Sequence, residues 1–146
     1  MSFELYMNLR DKKITKSLLY ETILHYFSLD MIEMKGKIHD YVLLHHELSD
    51  IEFYLINDEP PRNVWYSDIL DERYYYDQHI MISVLNKENF IPEFVKYLIN
   101  FFIVLNSRIE GEMLLTSDVY NDILYANKGI IKWSNSIPKE IIIESL

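Results

Sequence analysis

The chain contains no cysteine. A disulfide framework, a thiolate zinc site and an iron–sulfur cluster are therefore excluded, and the lack fits a reducing compartment. Glycine is nearly as scarce, with Gly36, Gly111 and Gly129 the only three in 146 residues. Three glycines so far apart build neither a phosphate loop nor a dinucleotide fingerprint, and no Gly-flanked turn presents a nucleophilic serine. Long apolar runs are missing too. The most apolar segment, Phe90 to Leu105, is interrupted by Pro92, Glu93, Lys96 and Asn100 and falls short of the ~20 apolar residues that cross a bilayer. The opening MSFELYMNLRDKK alternates apolar and polar residues from its second position. It has neither the basic start nor the continuous apolar stretch of a secretory signal, so a cytoplasmic protein without a membrane partner is expected. Positive charge is also short: 14 Lys and Arg face 23 Asp and Glu, a net charge of −9. Phosphate backbones recruit cations, so nucleic acid is not expected as a direct ligand.

What is present is unevenly placed. Between Glu47 and Asp77 stand nine acidic residues, opposed only by Arg62 and Arg73, so most of the net charge falls in this window. Such a field suits a basic partner, whose approach it would steer. Inside the window lies WYSDILDERYYYDQ, Trp65 to Gln78, which mixes aromatic and acidic residues almost one for one. A run of this kind makes a poor core and an unusual solvent loop.

The length fits one domain, residues 1–146, large enough to bury a core without staples. Phe3, Leu5, Met7 and Leu9 alternate with Glu4, Tyr6 and Asn8, the period of a half-buried strand. Thr15 can cap a helix from Lys16 to about Leu29, with Leu18, Leu19, Ile23, Tyr26 and Phe27 as its apolar stripe. Asp30 to Met34 reads as a short strand ending at Gly36. Ile38 to Leu48 and Ile51 to Asn57 read as two extended runs joined near ELSD, the first of which could also pass for a helix. NDEPPRN is a loop, because consecutive prolines remove ladder donors. A strand from Tyr76 to Leu85 would place Ile80, Ile82 and Val84 on one face, continued by Gln78 and Tyr76. Asn89 and Pro92 then start a helix to about Asn106, apolar almost all round, for burial against a sheet or in an oligomer seam. EMLLT and DILYA are short strands, NKG at Asn127 to Gly129 is a hairpin turn, and IIKW is its returning strand. The tail PKEIIIESL fits a strand or a frayed helix. This order predicts an α+β fold, a mostly antiparallel sheet with two main helices packed on one face. The second face is left for the acidic aromatic stretch or a second copy of the chain.

Catalytic and metal chemistry find little support. On a strand, His39 and His45 share a face but lie six residues apart, roughly 20 Å at ~3.3 Å per residue. One ion holds its histidines within ~2.1 Å, so these two do not share it, and His46 points the other way. Asp68 with Asp71 or Glu72 is the best local carboxylate pair, yet no nucleophile stands near it. No metal, cofactor or enzymatic activity is expected. The aromatics are more informative. Tyr74, Tyr75 and Tyr76 are consecutive, so on a strand both faces carry a phenol and one face is not simple core. Trp, Tyr and Arg dominate binding hot spots. Trp65, Tyr66, Asp68, Asp71, Glu72, Tyr74, Tyr75 and Asp77 are therefore the expected partner-binding residues.

Two further stretches bear on identity. MSFELYMNLRDKKITKSLLYETIL opens in a way that resembles the small bacterial immunity proteins of Sit-type, contact-dependent toxin–immunity systems. HIMISVLNKENFIPEFVKYLINFFIVL and RIEGEMLLTSDVYNDILYANKGIIKW resemble their later half. Those proteins likewise begin with an alternating strand, a polar turn and a helix, and end in a Leu/Val-rich helix, an acid-and-Gly step and a final hairpin. The chain departs in having Glu112 after Gly111 and Asn121-Asp122 where an Asn-Gly turn is expected, and Gly36 to Tyr75 is unmatched. The resemblance implies an antidote that binds the toxic C-terminal domain of a larger secreted or surface-displayed protein, a basic nuclease among the candidates. It implies no catalytic residue. Alternative readings are an acidic DNA mimic, a homo-oligomeric structural subunit built on the Phe90–Leu105 helix, or a small hydrolase using Asp68, Asp71 or His45.

Overall fold

The computed structural model describes residues 2–10, 13–27, 31–35, 40–45, 50–57, 63–85, 91–109, 111–117 and 121–135. In chain order these form β1 (Ser2–Arg10), α1 (Lys16–Phe27), β2 (Met31–Lys35), β3 (Asp40–His45), β4 (Asp50–Asn57), β5 (Asn63–Ser67) and β6 (Glu72–Tyr76). They continue with β7 (Gln78–Leu85), α2 (Ile91–Ser107), β8 (Glu112–Ser117), β9 (Asn121–Asn127) and β10 (Ile130–Trp133).

Among the described residues, eight strands make one sheet in the order β10-β9-β8-β1-β7-β4-β3-β2, and β5 pairs with β6 in a separate ribbon. Every pairing is antiparallel. β1 sits in the middle because its alternation lets it bury one face completely. Leu5, Met7 and Leu9 are fully buried, whereas Glu4, Tyr6 and Arg10 on the opposite face remain partly exposed. A slip of one residue would exchange the two sets, which pins its register to β7 and β8.

Both helices lie on the Leu5–Met7–Leu9 face. Thr15 Oγ1 accepts the N–H of Leu18 at 3.1 Å, the expected cap on α1. Leu19 and Ile23 of α1, and Leu98, Phe101, Phe102 and Leu105 of α2, join the strands in the main core. Of the α2 side chains described, Leu98, Ile99, Phe101, Phe102 and Leu105 are thus buried within one chain, while Ile103 and Val104 are partly exposed. The α+β architecture with two helices on one face is the one the element order predicts.

The NKG turn is also as expected. Asn127 pairs with Ile130, and Lys128 and Gly129 take φ of 49° and 85°, the doubly left-handed geometry of a two-residue hairpin loop.

Of the extended run expected from Ile38 to Leu48, the described part, Asp40–His45, is a strand and not a helix. Two expectations change. The single strand expected from Tyr76 to Leu85 is broken: Asp77 is a bend between β6 and β7, and its N–H donates to Leu9 O at 3.2 Å. Gln78 does continue the helix-side face of Ile80 and Ile82, but Tyr76 belongs to the other layer. Buried Gln78 accepts from Ile14 N at 2.8 Å and donates to Ile14 O at 3.0 Å, and so fastens the entrance of α1 to the sheet. Gly36, His39, His46, the Pro60-Pro61 loop, Asn89 and the tail from Ser136 lie outside the described residues. Among the described residues, no helix is long and apolar enough to cross a membrane.

Candidate functional site

The second face of the sheet is where the acidic aromatic stretch goes. β5 and β6 pair from Asn63↔Tyr76 to Ser67↔Glu72, and the hairpin lies across β1, β8 and β9. Alternation decides the two sides of this ribbon. Trp65, Tyr74 and Tyr76 face the sheet and pack with Leu114, Tyr125, Ile69 and Leu70 in a second core. Val64, Tyr66 and Tyr75 face outward and are 50%, 56% and 42% exposed.

Two polar clasps hold the hairpin down. The first is Asp122 at the start of β9, a carboxylate only 2% exposed. It accepts from Trp65 Nε1, from Ser67 Oγ at 2.8 Å and from Ile69 N at 3.3 Å. Ser67 Oγ in turn accepts the N–H of Leu70 at 3.2 Å and orders the turn. Three donors satisfy a carboxylate that would otherwise be costly to bury.

The second clasp is centred on Arg10 at the end of β1. Its guanidinium grips Glu112 of β8 through Nε at 2.6 Å and Nη2 at 3.1 Å, and reaches Glu72 of β6 at 3.4 Å. It also lies 4.6 Å from the ring centroid of Tyr74, within cation–π range. The Tyr74 hydroxyl shares its proton between Asn8 O at 3.0 Å and Glu112 O at 3.2 Å. Tyr125 donates its hydroxyl to Glu112 from the other side. The electrostatics follow from this geometry. The hydrogen bond from Arg10 holds the Glu112 carboxyl below its ordinary value, and the same bond raises Arg10. Burial, reinforced by the bond to Glu112, pushes the Tyr125 phenol up to about 12.

The charge gathers around the turn. Asp68, Asp71, Glu72 and Arg73 are exposed around the turn. Asp71 has φ of 51°, a left-handed position that Asp tolerates better than most residues. Its carboxylate accepts the Tyr66 hydroxyl at 2.6 Å, and that bond raises the Tyr66 phenol. The tyrosine is thereby held upright beside two acids.

The expected binding residues are thus sorted by the fold. Tyr66, Asp68, Asp71, Glu72 and Tyr75 stand at the surface of one hairpin. Trp65 and Asp77 are partly buried, the former on the sheet side and the latter at the bend into β7. Tyr74 is a correction: it is fully buried, so it offers no surface to a partner, and its phenol anchors the hairpin. Val64 joins the outward face, and its alternation with Tyr66 was the signal for it. Asp122, Arg10 and Glu112 carry no such signal, since DILYA reads only as an apolar strand and Asp122 lies 57 residues from Trp65.

Chemistry on the residues considered for it is limited. His45 lies on β3, its backbone opposite Asp50, and His39 and His46 fall outside the described residues. Among the described residues, no three His, Asp or Glu side chains come together as a metal site. Of the carboxylates weighed as an acid pair, Asp71 is engaged by Tyr66 and Glu72 by Arg10. Comparison with protein-family models, with curated proteins and with solved structures gives no match to this chain.

Proposed function

We propose that the chain is an immunity protein that binds and neutralises a basic toxin domain in the cytoplasm. The observation that carries this reading is the hairpin of β5 and β6. It turns Val64, Tyr66 and Tyr75 outward on the hairpin that carries Asp68 and Asp71, while its other side is held by Asp122 at Ser67 and by Arg10 at Glu72 and Tyr74. Association is weakened by every side chain and loop that must be ordered on contact. A hairpin already fastened at both edges avoids much of that cost, and tyrosine adds broad contact area with only two torsions to fix. The acids would speed encounter with a cationic surface and make it salt-sensitive. The resemblance of the chain's two ends to Sit-type immunity proteins points the same way.

The test is calorimetric titration with the C-terminal domain encoded by the gene immediately upstream, the candidate ligand, at low and moderate salt. Tight binding that weakens as salt rises is expected. The double variant Tyr66→Ala/Tyr75→Ala should lose at least tenfold in affinity, or ~1.4 kcal/mol, with its unfolding midpoint unchanged. Absence of binding at both salts, or a folded double variant that binds like the parent, would overturn the proposal.

A further inference from the structure

Beside the hairpin turn, Asp68, Ile69, Trp133, Ser134 and Asn135 line a cavity of about 240 Å³ between the tip of the ribbon and the end of β10. It is smaller than the ~300–1,000 Å³ of a drug-sized ligand site, but it is the size of one long side chain. Exposed Asp68 contributes a carboxylate, Ile69 and partly buried Trp133 contribute apolar and aromatic surface, and Ser134 and Asn135 bring polar groups. The walls are fixed: Ile69 is held through its N–H to Asp122, Trp133 packs against the main core, and Ser134 N donates to Ile123 O at 3.0 Å. Asp68 also belongs to the hairpin whose outward tyrosines form the candidate interface, and its charge helps raise the Tyr66 phenol.

We infer that this cleft is the anchor pocket for one arginine side chain of the basic partner. The inference rests on the reading of the hairpin as the site that binds a basic protein. A guanidinium is planar and weakly hydrated, lies well against an aromatic wall, and pairs with a carboxylate through two parallel N–H donors. Arginine is also the cation most often found as a buried hot spot surrounded by contacts that exclude water. Apolar surface, an indole and a carboxylate close to exposed Tyr66 meet each of those needs. A lysine ammonium would keep the carboxylate but lose the planar stacking, so it should bind less well.

The probe is a blocked tripeptide, acetyl-Gly-Arg-Gly-amide, titrated into the full chain and followed by amide and indole proton–nitrogen spectra. Saturable shifts are expected at Asp68, Ile69, Ser134, Asn135 and the Trp133 indole, with the Trp65 indole unmoved because it stays bonded to Asp122. The citrulline tripeptide, equal in shape but uncharged, should cause no saturable shift. Asp68→Asn should weaken the arginine peptide at least tenfold while leaving the unfolding midpoint in place. Equal shifts with citrulline, shifts centred elsewhere, or indifference to Asp68→Asn would each overturn the pocket. With the toxin domain as ligand, the two proposals separate. Loss of binding in Tyr66→Ala/Tyr75→Ala without any loss in Asp68→Asn removes the pocket and keeps the immunity reading. Saturable arginine-peptide binding with no toxin binding keeps the pocket and removes that reading.

Discussion

Asp122→Ala removes one carboxylate that no partner can touch, yet it should weaken both the fold and the interface. The carboxylate is 2% exposed and accepts from Trp65, Ser67 and Ile69. A hydrogen bond to a charged group contributes ~1.5–3 kcal/mol net, so three bonds summed independently would overstate the loss. Two effects reduce it. Removing the carboxylate also removes the cost of keeping it from water, and the donors on Trp65 and Ile69 are only partly buried and can be rehydrated. Ser67 is fully buried, and although its oxygen keeps the Leu70 N–H, its hydroxyl proton is left without an acceptor at a cost of ~1–3 kcal/mol. A net destabilisation of about 3 kcal/mol follows, a large share of the ~5–15 kcal/mol available to a domain. Urea unfolding followed by tryptophan fluorescence should show the midpoint falling by ~1.5 M for a slope of ~2 kcal/mol/M. If the hairpin lifts before the sheet unfolds, its amides should exchange ~100-fold faster while those of β1 and β7 keep their protection. Asp122→Asn should cost less, ~1–2 kcal/mol, because one oxygen remains for Trp65 and the Ser67 hydroxyl can turn to accept from the new amide. If the chain binds a toxin domain through this hairpin, as proposed, that affinity should fall in the Ala variant through loss of hairpin order alone. A midpoint within ~0.5 kcal/mol of the parent, the ordinary range of neutral surface changes, together with unchanged hairpin protection, would refute the clasp.

Three further outcomes are expected. Tyr74→Phe keeps the buried ring but loses the shared bond to Asn8 O and Glu112 O, so thermal unfolding should fall by ~2–4 °C for a loss of ~1 kcal/mol. For Tyr125, the folded phenol titrates near 12 and the unfolded one near 10. Its contribution to stability is therefore fully present below pH 10 and lost as the pH rises towards 12. A pH series of urea midpoints should show an alkaline decline that is shallower in Tyr125→Phe. Gly129→Ala places a side chain at φ of 85° where nothing lies within 4 Å of the added carbon, so only backbone strain is introduced. It should cost ~1–2 kcal/mol, and Gly129→Asn less, both read from unfolding midpoints.

Much of the architecture could be read locally. The alternation of β1, the Thr15 cap on α1, the apolar length of α2 and the two left-handed residues at Lys128 and Gly129 each depend on neighbours within a few positions. Period, capping and turn chemistry are properties of short segments, and the count and order of those segments narrow the fold to helices on one face of an antiparallel sheet. The local pattern also showed that consecutive Tyr74, Tyr75 and Tyr76 must divide between two faces.

Which of them goes inward was not a local matter. Tyr74 is core and Tyr75 is surface because the ribbon lays one particular face on β1, β8 and β9, and that parity is set by where the chain bends at Asp77. A Tyr76–Gln78 strand reads without a break in sequence, since both residues alternate correctly; only the bend at Asp77, with Tyr76 paired to Asn63 and Gln78 to Leu9, shows the chain changing layers. The clasps are further out of reach. Arg10, Glu72 and Glu112 are three ordinary charges until three strands bring them together, and Asp122 is an acid at the head of an apolar run until Trp65, Ser67 and Ile69 arrive above it. By itself, the sequence determined most strands of the main sheet, the two helices and their order, and the acidic aromatic character of the candidate surface, but not the separate β5–β6 ribbon. Tertiary structure alone decided which tyrosines are free to meet a partner and what holds them there, because partners distant in the chain meet only when the sheet has set its register and the hairpin has chosen a face.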